Sequence, residues 1–303
     1  MIIINKTAIF CLLILGIILL FTACDGISQL KEPFSYRMPI ENQGVKQLSV
    51  NTKNGTIGVK YYDQAAISIE GEKTVNGLGD LESHIKKIEI KYVHESDQIH
   101  IYASFPDDVN KLFQNISYGA HFTLYIPQEL SALDDFQIKT SNGKIDMDGF
   151  AGKFDLRTSN GAIHLSDCSG SIQANTSNAA VELSDVQAQM DISTSNGYIS
   201  FSNCSLTGSN NYFSTSNGRI SGTLTLPLSG HANFITSNGS VHLTLPENTH
   251  ADFVTTTSNG NISIKDFRAT YTSDQKTTKT GRINDSGVQL VITTSNANIT
   301  ISQ

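Results

Sequence analysis

Thr140-Ser141-Asn142-Gly143-Lys144-Ile145-Asp146-Met147 decides the fold, because its first four residues return, with small changes, along most of a 303-residue chain. With the Asn as zero, copies fall at Asn54, Asn142, Asn160, Asn178, Asn196, Asn217, Asn238, Asn259 and Asn296. From Asn142 the steps are 18, 18, 18, 21, 21, 21 and 37 residues, so the last step hides an insertion or a degenerate copy. A fixed period of this kind marks a repeat architecture and is read before any local signal.

Aligned on the Asn, the copies form columns. Thr stands two residues before it in every copy, from Thr52 to Thr294. One residue after it stand Gly143, Gly161, Gly197, Gly218, Gly239 and Gly260, with Ala179 and Ala297 as exceptions. Three after it are Ile57, Ile145, Ile163, Val181, Ile199, Ile220, Val241, Ile262 and Ile299. Apolar residues alternate at period two on both sides of the corner, which is a half-buried strand, a tight turn and a second half-buried strand.

Asn-Gly between alternating strands is also a hairpin signal. Identical columns point elsewhere. If each copy is one rung of a coil, equal positions stack about 4.8 Å apart in parallel register. Ile over Ile then builds a core that no single rung buries by itself. Stacked Asn side chains bond to one another as in other cross-β ladders, and Gly after Asn permits a positive φ at the corner. The expected fold is an all-β, single-chain β-solenoid of 18–21-residue rungs, with an antiparallel sandwich or prism as the alternative. Asn142, Gly143, Asn160, Gly161, Asn178, Asn196, Gly197, Asn217, Gly218, Asn238, Gly239, Asn259 and Gly260 are expected to be structural turn residues.

Outside the repeat, Lys6 and the apolar run Ala8 to Phe21 end in Leu20-Phe21-Thr22-Ala23-Cys24. A short positive start, an apolar core and small residues before a Cys read as a lipoprotein signal peptide over 1–23, with Cys24 as the lipidated residue. An uncleaved membrane anchor is the alternative, since Ile2 to Ala23 is nearly long enough to span a bilayer. Either places the remainder outside the cytoplasm, in the cell envelope. Residues 24–40 read as a tether, 41–135 as an N-terminal β region with degenerate rungs, and 136–303 as the regular solenoid. Within the last, 269–287 reads as a loop thrown out before a final rung that lacks a downstream neighbour.

With Cys11 in the signal core and Cys24 lipidated, Cys168 and Cys204 remain. They share a column with Phe150 and Val186, eight residues after the Asn, two rungs apart. That separation is about 9–10 Å by the strand spacing, beyond the roughly 7 Å a disulfide tolerates. Buried free thiols are expected.

Thr123-Leu124-Tyr125-Ile126-Pro127, the run Phe136 to Ile145 and the later T-S-N-G-x-I copies resemble the bacterial putative-adhesin family, a domain of unknown function on envelope proteins. The resemblance covers roughly residues 45–303. It implies a β-solenoid, lipid or membrane anchorage and no enzymatic activity.

The chemistry-bearing motifs of hydrolases, zinc proteases and nucleotide binders do not occur, and no catalytic, cofactor or metal residue is assigned. Lys6 is the only charge before Cys24, so 20 basic and 28 acidic residues remain after it, a net charge of −8. With no basic cluster, a nucleic-acid partner is not expected. Asp167 and Asp185 share one phase, seven after the Asn, with Asn203 next; they read as a solvated turn more than as a cation site. Outward positions such as Lys144, Asp146, His164, Glu182 and Tyr198 are polar, without a line of aromatics for sugar stacking. The reading is a non-catalytic envelope lipoprotein, an adhesin-like interaction or scaffold module. Its expected partners are the membrane, through the lipid, and a protein or glycan of the envelope or surface. An accessory role in an envelope-stress response is the alternative, and a carbohydrate-active β-helix enzyme ranks below it.

Overall fold

A computed structural model describes residues 28–39, 44–95, 97–106, 116–130 and 133–303; the signal segment and Cys24 lie outside the described residues. Each T-S-N-G copy is a corner between two strands of one rung, and neighbouring rungs pair in parallel. Ala151–Arg157 lies between Asp135–Lys139 and Ser169–Asn175, while Ile163–Ser166 lies between Ile145–Asp148 and Val181–Ser184. The registers pair equal columns: Ile163 opposite Val181 and Ile145, Phe154 opposite Phe136 and Ile172. The fold is therefore a β-solenoid, and the Asn-Gly corner is not a hairpin turn. Parallel pairing in equal register is what sets inward positions over inward positions from rung to rung.

The core between the two strand columns is the stack that the alternation predicts. Ile145, Ile163, Val181, Ile199, Ile220, Val241 and Ile299 are all fully buried or nearly so. Facing them, Phe136 stacks on Phe154 at 5.1 Å and Phe213 on Phe234 at 4.8 Å between ring centroids. One rung's side chains lie one strand spacing above the next, so aromatic rings at equal positions meet face to face. The period changes from 18 to 21 where Thr207 to Asn210 bulge out. There the buried Asn211 side chain stands in for backbone pairing, accepting from Met190 N at 2.9 Å and donating to Thr207 O at 2.9 Å.

The rung order is not the chain order. The Asn54 rung, Gln47–Asn51 and Ile57–Tyr62, pairs directly with the Asn142 rung, Asp135–Lys139 and Ile145–Asp148. Its other side pairs with a motif-free rung made of Gln98–Ser104 and Ser117–Pro127. Beyond that the pairing turns antiparallel: Ala66–Gly77 lies on Ser117–Pro127, and Glu89–Glu95 lies on Gln98–Ser104.

Three expectations change here. From Ser28 the tether is a strand, Ser28–Pro39, paired antiparallel along Ala66–Gly77. Leu30, Phe34, Tyr36 and Met38 alternate inward along it, a pattern that Pro33 and the Lys31 and Glu32 charges obscure in the sequence. The stretch 269–287 is chiefly a β-hairpin, Ala269–Asp274 with Thr278–Ile283, and its second strand pairs antiparallel with Ala251–Thr256. Third, the final rung has neighbours on both sides. Val288–Thr293 and Ile299–Ser302 sit between the Asn238 rung and the Asn259 rung.

Candidate functional site

The corner itself is the most regular surface of the molecule. Every motif Asn except Asn54 donates from Nδ2 to Oδ1 of the Asn one rung away, at 2.7 Å for Asn196 to Asn178, Asn217 to Asn196 and Asn238 to Asn217. Asn54 ends the ladder by donating to Tyr118 O at 2.7 Å. Beneath it, the buried Thr hydroxyls form a second ladder. Thr215 Oγ1 donates to Gly197 O at 3.0 Å and accepts from Gly218 N at 3.1 Å, and Thr158 and Thr236 repeat both contacts. Each of these three hydroxyls thus serves a donor in its own rung and an acceptor in the adjacent one, and among the described residues no buried side-chain polar atom is left unpaired.

The glycine column has a different cause from the one the sequence suggests. At Gly143, Gly161, Gly197, Gly218, Gly239 and Gly260 the backbone is not left-handed. The demand is for space: a Cβ on Gly218 would lie 1.7 Å from Gly197 O, and one on Gly161 would lie 1.7 Å from Gly143 O. Left-handed backbone sits at the opposite corner of the rung, where Gly149 has φ 85°, Asp167 51°, Asp185 55° and Asn203 54°. Asp and Asn tolerate that region better than other side chains. Asn203 Nδ2 donates to Asp185 Oδ1 at 2.6 Å, which with a bond from Ser184 holds the Asp185 carboxyl below the usual range. Among the described residues no group of three His, Cys, Asp or Glu side chains converges on a point that would hold a metal ion.

Two other surfaces carry chemistry. On the outward face after the corner, Glu182 takes His164 Nε2 at 3.1 Å and the Tyr198 hydroxyl, and Arg219 lies 5.5 Å over the Tyr198 ring. Lys144 pairs with Asp146 at 2.9 Å in the same face. The columns brought these residues to one face in the sequence, but their pairing depends on side-chain reach across rungs. The second surface, a polar groove of about 550 Å³, was not legible in sequence. It lies where the antiparallel strands overhang the start of the Asn ladder and is lined by Asn54, Asn76, Ser117, His121, Asn142 and Lys144 among others. His121 Nδ1 accepts from Thr56 N at 3.1 Å, and burial lowers its pKa. Its residues come from separate segments spread between Gln29 and Lys144, and no motif announces it.

The profile of the family described as Toastrack DUF4097 matches residues 45–302, most of the chain. The chain belongs to the Toastrack DUF4097 family. Toastrack DUF4097 is a domain of unknown function. No curated protein matches this Toastrack chain. Solved structures similar to it include a putative cell adhesion protein from Clostridium sporogenes ATCC 15579, with 11% identity, 90% of this chain and 100% of that chain covered, and a TM-score of 0.25. A putative adhesin from Bacteroides fragilis NCTC 9343 is 7% identical over 89% of this chain and 97% of that one, with a TM-score of 0.32. A putative lipid binding protein from Parabacteroides distasonis ATCC 8503 is 11% identical over 89% and 96%, with a TM-score of 0.32. At these values the likeness assigns no role to the Toastrack chain.

Proposed function

We propose that this protein is a non-catalytic lipoprotein of the cell envelope, anchored on the extracytoplasmic side through a lipid on Cys24. Its solenoid serves as an adhesin-like interaction or scaffold module for a protein or glycan partner. One observation supports this reading above the others: the repeated motif is spent on the rod. At a corner such as Thr215–Gly218 the Thr and Asn side chains bond to the adjacent rung and the Gly amide bonds back to the Thr, which leaves the variable outward side chains to meet a partner. On that outward face the Glu182 carboxylate is already engaged by two neighbours, His164 and the Tyr198 hydroxyl. A carboxylate so occupied is poorly placed as a general acid or base.

The test is made on cells. Surface crosslinking of the native chain is expected to retain a specific envelope partner. Replacing the outward residues Glu182, Tyr198 and Arg219 together with Ala is expected to reduce that retention without unfolding the rod. Cys24→Ala is expected to release the protein from the membrane fraction and abolish labelling by a fatty-acid analogue. Lipid labelling that persists in Cys24→Ala, or turnover of an envelope polysaccharide by the purified chain, overturns the proposal.

A further inference from the structure

The rung formed last in the chain is not the last rung of the stack. Val288–Thr293 is hydrogen-bonded to His231–Ile235 on one side and Ala251–Thr256 on the other, and Ile299–Ser302 sits likewise between Val241–Thr244 and Ile262–Ile264. Leu290, Ile292, Ile299 and Ile301 are fully buried in that position. The chain therefore lays down the Asn259 rung, makes the hairpin 269–283, crosses back through 284–287 and inserts its C-terminus between two earlier rungs.

The contacts that hold the inserted rung are the same as those between rungs consecutive in the chain. Asn296 Nδ2 donates to Asn238 Oδ1 at 2.7 Å, and Asn259 Nδ2 donates to Asn296 Oδ1 at 2.7 Å. Thr294 Oγ1 donates to Gly239 O at 2.9 Å, and Thr257 Oγ1 donates to Ala297 O at 2.9 Å. The slot thus recognises a T-S-N rung of the right register and nothing peculiar to the segment that arrives. The step from Asn238 to Asn259 is 21 residues, the same as from Asn196 to Asn217 and from Asn217 to Asn238. The two walls of the slot are consequently spaced in the chain as ordinary neighbours, and the C-terminal rung is an interposed element.

We propose that residues 288–303 are an exchangeable rung, and that the slot between the Asn238 and Asn259 rungs accepts the same rung from a second copy of this chain. The geometry is that of strand addition: main-chain hydrogen bonds on both edges supply affinity, and alternate side chains entering the core supply register. Exchange of an identical element between copies costs little, because every contact broken in one molecule is made in the other. The linking segment 265–287 supplies the hinge, with left-handed residues at Asp266 (φ 67°) and Asn284 (φ 53°) near its two ends.

The test uses two versions of the full chain, both with Cys11 and Cys24 replaced by Ser. One carries His242→Cys and the other Thr300→Cys, positions paired directly opposite each other where the inserted rung meets the Asn238 wall of the slot. Neighbouring positions on paired strands lie within disulfide reach. After co-refolding of the two at high concentration and mild oxidation, a mixed disulfide dimer is expected to be the main crosslinked species. The single chain carrying both substitutions, oxidised when dilute, is expected to close within itself. Closure in the doubly substituted chain with no mixed dimer from the pair overturns the proposal. A labelled peptide of residues 287–303 reads the same claim with no engineered cysteine. It is expected to be retained by the native-sequence chain after co-refolding, and the peptide with Ile299→Asp and Ile301→Asp is expected to be lost at least tenfold more readily. Equal loss of both peptides also overturns it.

Discussion

Asn296 donates to Asn238 at 2.7 Å across 58 residues of chain, and it thereby stands between Asn238 and Asn259, which are 21 residues apart in sequence. The ladder runs through all nine motif copies in the order of space and not of synthesis. It continues unbroken over the two places where chain order and rung order part, at Asn54 beside Asn142 and at Asn296. The fold is thus specified rung by rung, by equal columns, while the connections decide only which rung arrives where.

The ladder's contribution to stability is open to direct measurement. Asn196 donates to Asn178 and accepts from Asn217, both at 2.7 Å. Asn196→Asp keeps the acceptor but removes the donor, placing two oxygens against each other. Because the stripe is exposed, water competes, and the expected cost is about 1 kcal/mol, as for a single net hydrogen bond. For a chain of this size that is roughly a 2–4 °C fall in Tm, read by circular dichroism. A Tm equal to that of the parent would mean the Asn stripe contributes nothing to the stack.

The Thr ladder is buried, and its loss is expected to weigh more. Thr215 Oγ1 satisfies both Gly197 O and Gly218 N. Thr215→Val preserves the shape and strands two buried backbone groups, each costing about 1–3 kcal/mol. Thr215→Ser keeps the hydroxyl and loses one methyl, about 1 kcal/mol by buried-CH2 accounting. Denaturant titration is expected to rank the variants parent, then Ser, then Val. If Val matched or exceeded Ser in stability, the hydroxyl relay would not be what holds the corner.

Gly218 tests whether space or backbone angle is the constraint. A Cβ there meets Gly197 O at 1.7 Å, yet Ala occupies the same column at Ala179 and Ala297. The amide-to-Thr bond is formed at Gly143, Gly161, Gly197, Gly218, Gly239 and Gly260, all of them glycine. Gly218→Ala is therefore expected to fold, with the peptide displaced and that bond weakened, at a cost of about 1–2 kcal/mol. Complete unfolding would show that the corner cannot give, and an unchanged stability would remove the steric account.

Much of this was legible because a solenoid repeats its reasons. The Ile column, the buried Thr column and the separation of Cys168 from Cys204 all follow from alignment on one Asn. Rung order does not follow, and for a physical reason: when Asn238, Asn259 and Asn296 present identical contacts, no local preference tells which pair are neighbours. The 37-residue step shows that something intervenes, but not that the chain turns back. The glycines were legible as a column and not as a cause, because a close approach between rungs and a left-handed corner leave the same trace in sequence. The left-handed corner was instead marked by Gly149, Asp167, Asp185 and Asn203, seven residues later. The polar groove at His121 was illegible, since the antiparallel overhang that makes it carries no repeat.

Cys168 and Cys204 are both free and buried, which fixes their reactivity and a pH dependence. Burial pushes the Cys168 thiol up to about 11 and raises Cys204 in the same direction. Thiolates are the reactive species, so both are expected to resist alkylation in the folded chain at pH 8 and to react together in denaturant. Mass spectrometry of alkylated chain reads the difference as two added groups, counted on a chain with Cys11 and Cys24 replaced by Ser. The folded state holds the Cys168 proton more tightly than the unfolded state does. This contribution is therefore fully present below the ordinary thiol value of 9.0 and is lost as pH rises toward about 11. Denaturant midpoints are expected to fall across that interval in the parent and less so in Cys168→Val, which keeps the volume and has no proton to lose. A disulfide in the oxidised protein, or rapid alkylation of either thiol in the folded state, would contradict the two-rung separation on which the fold rests.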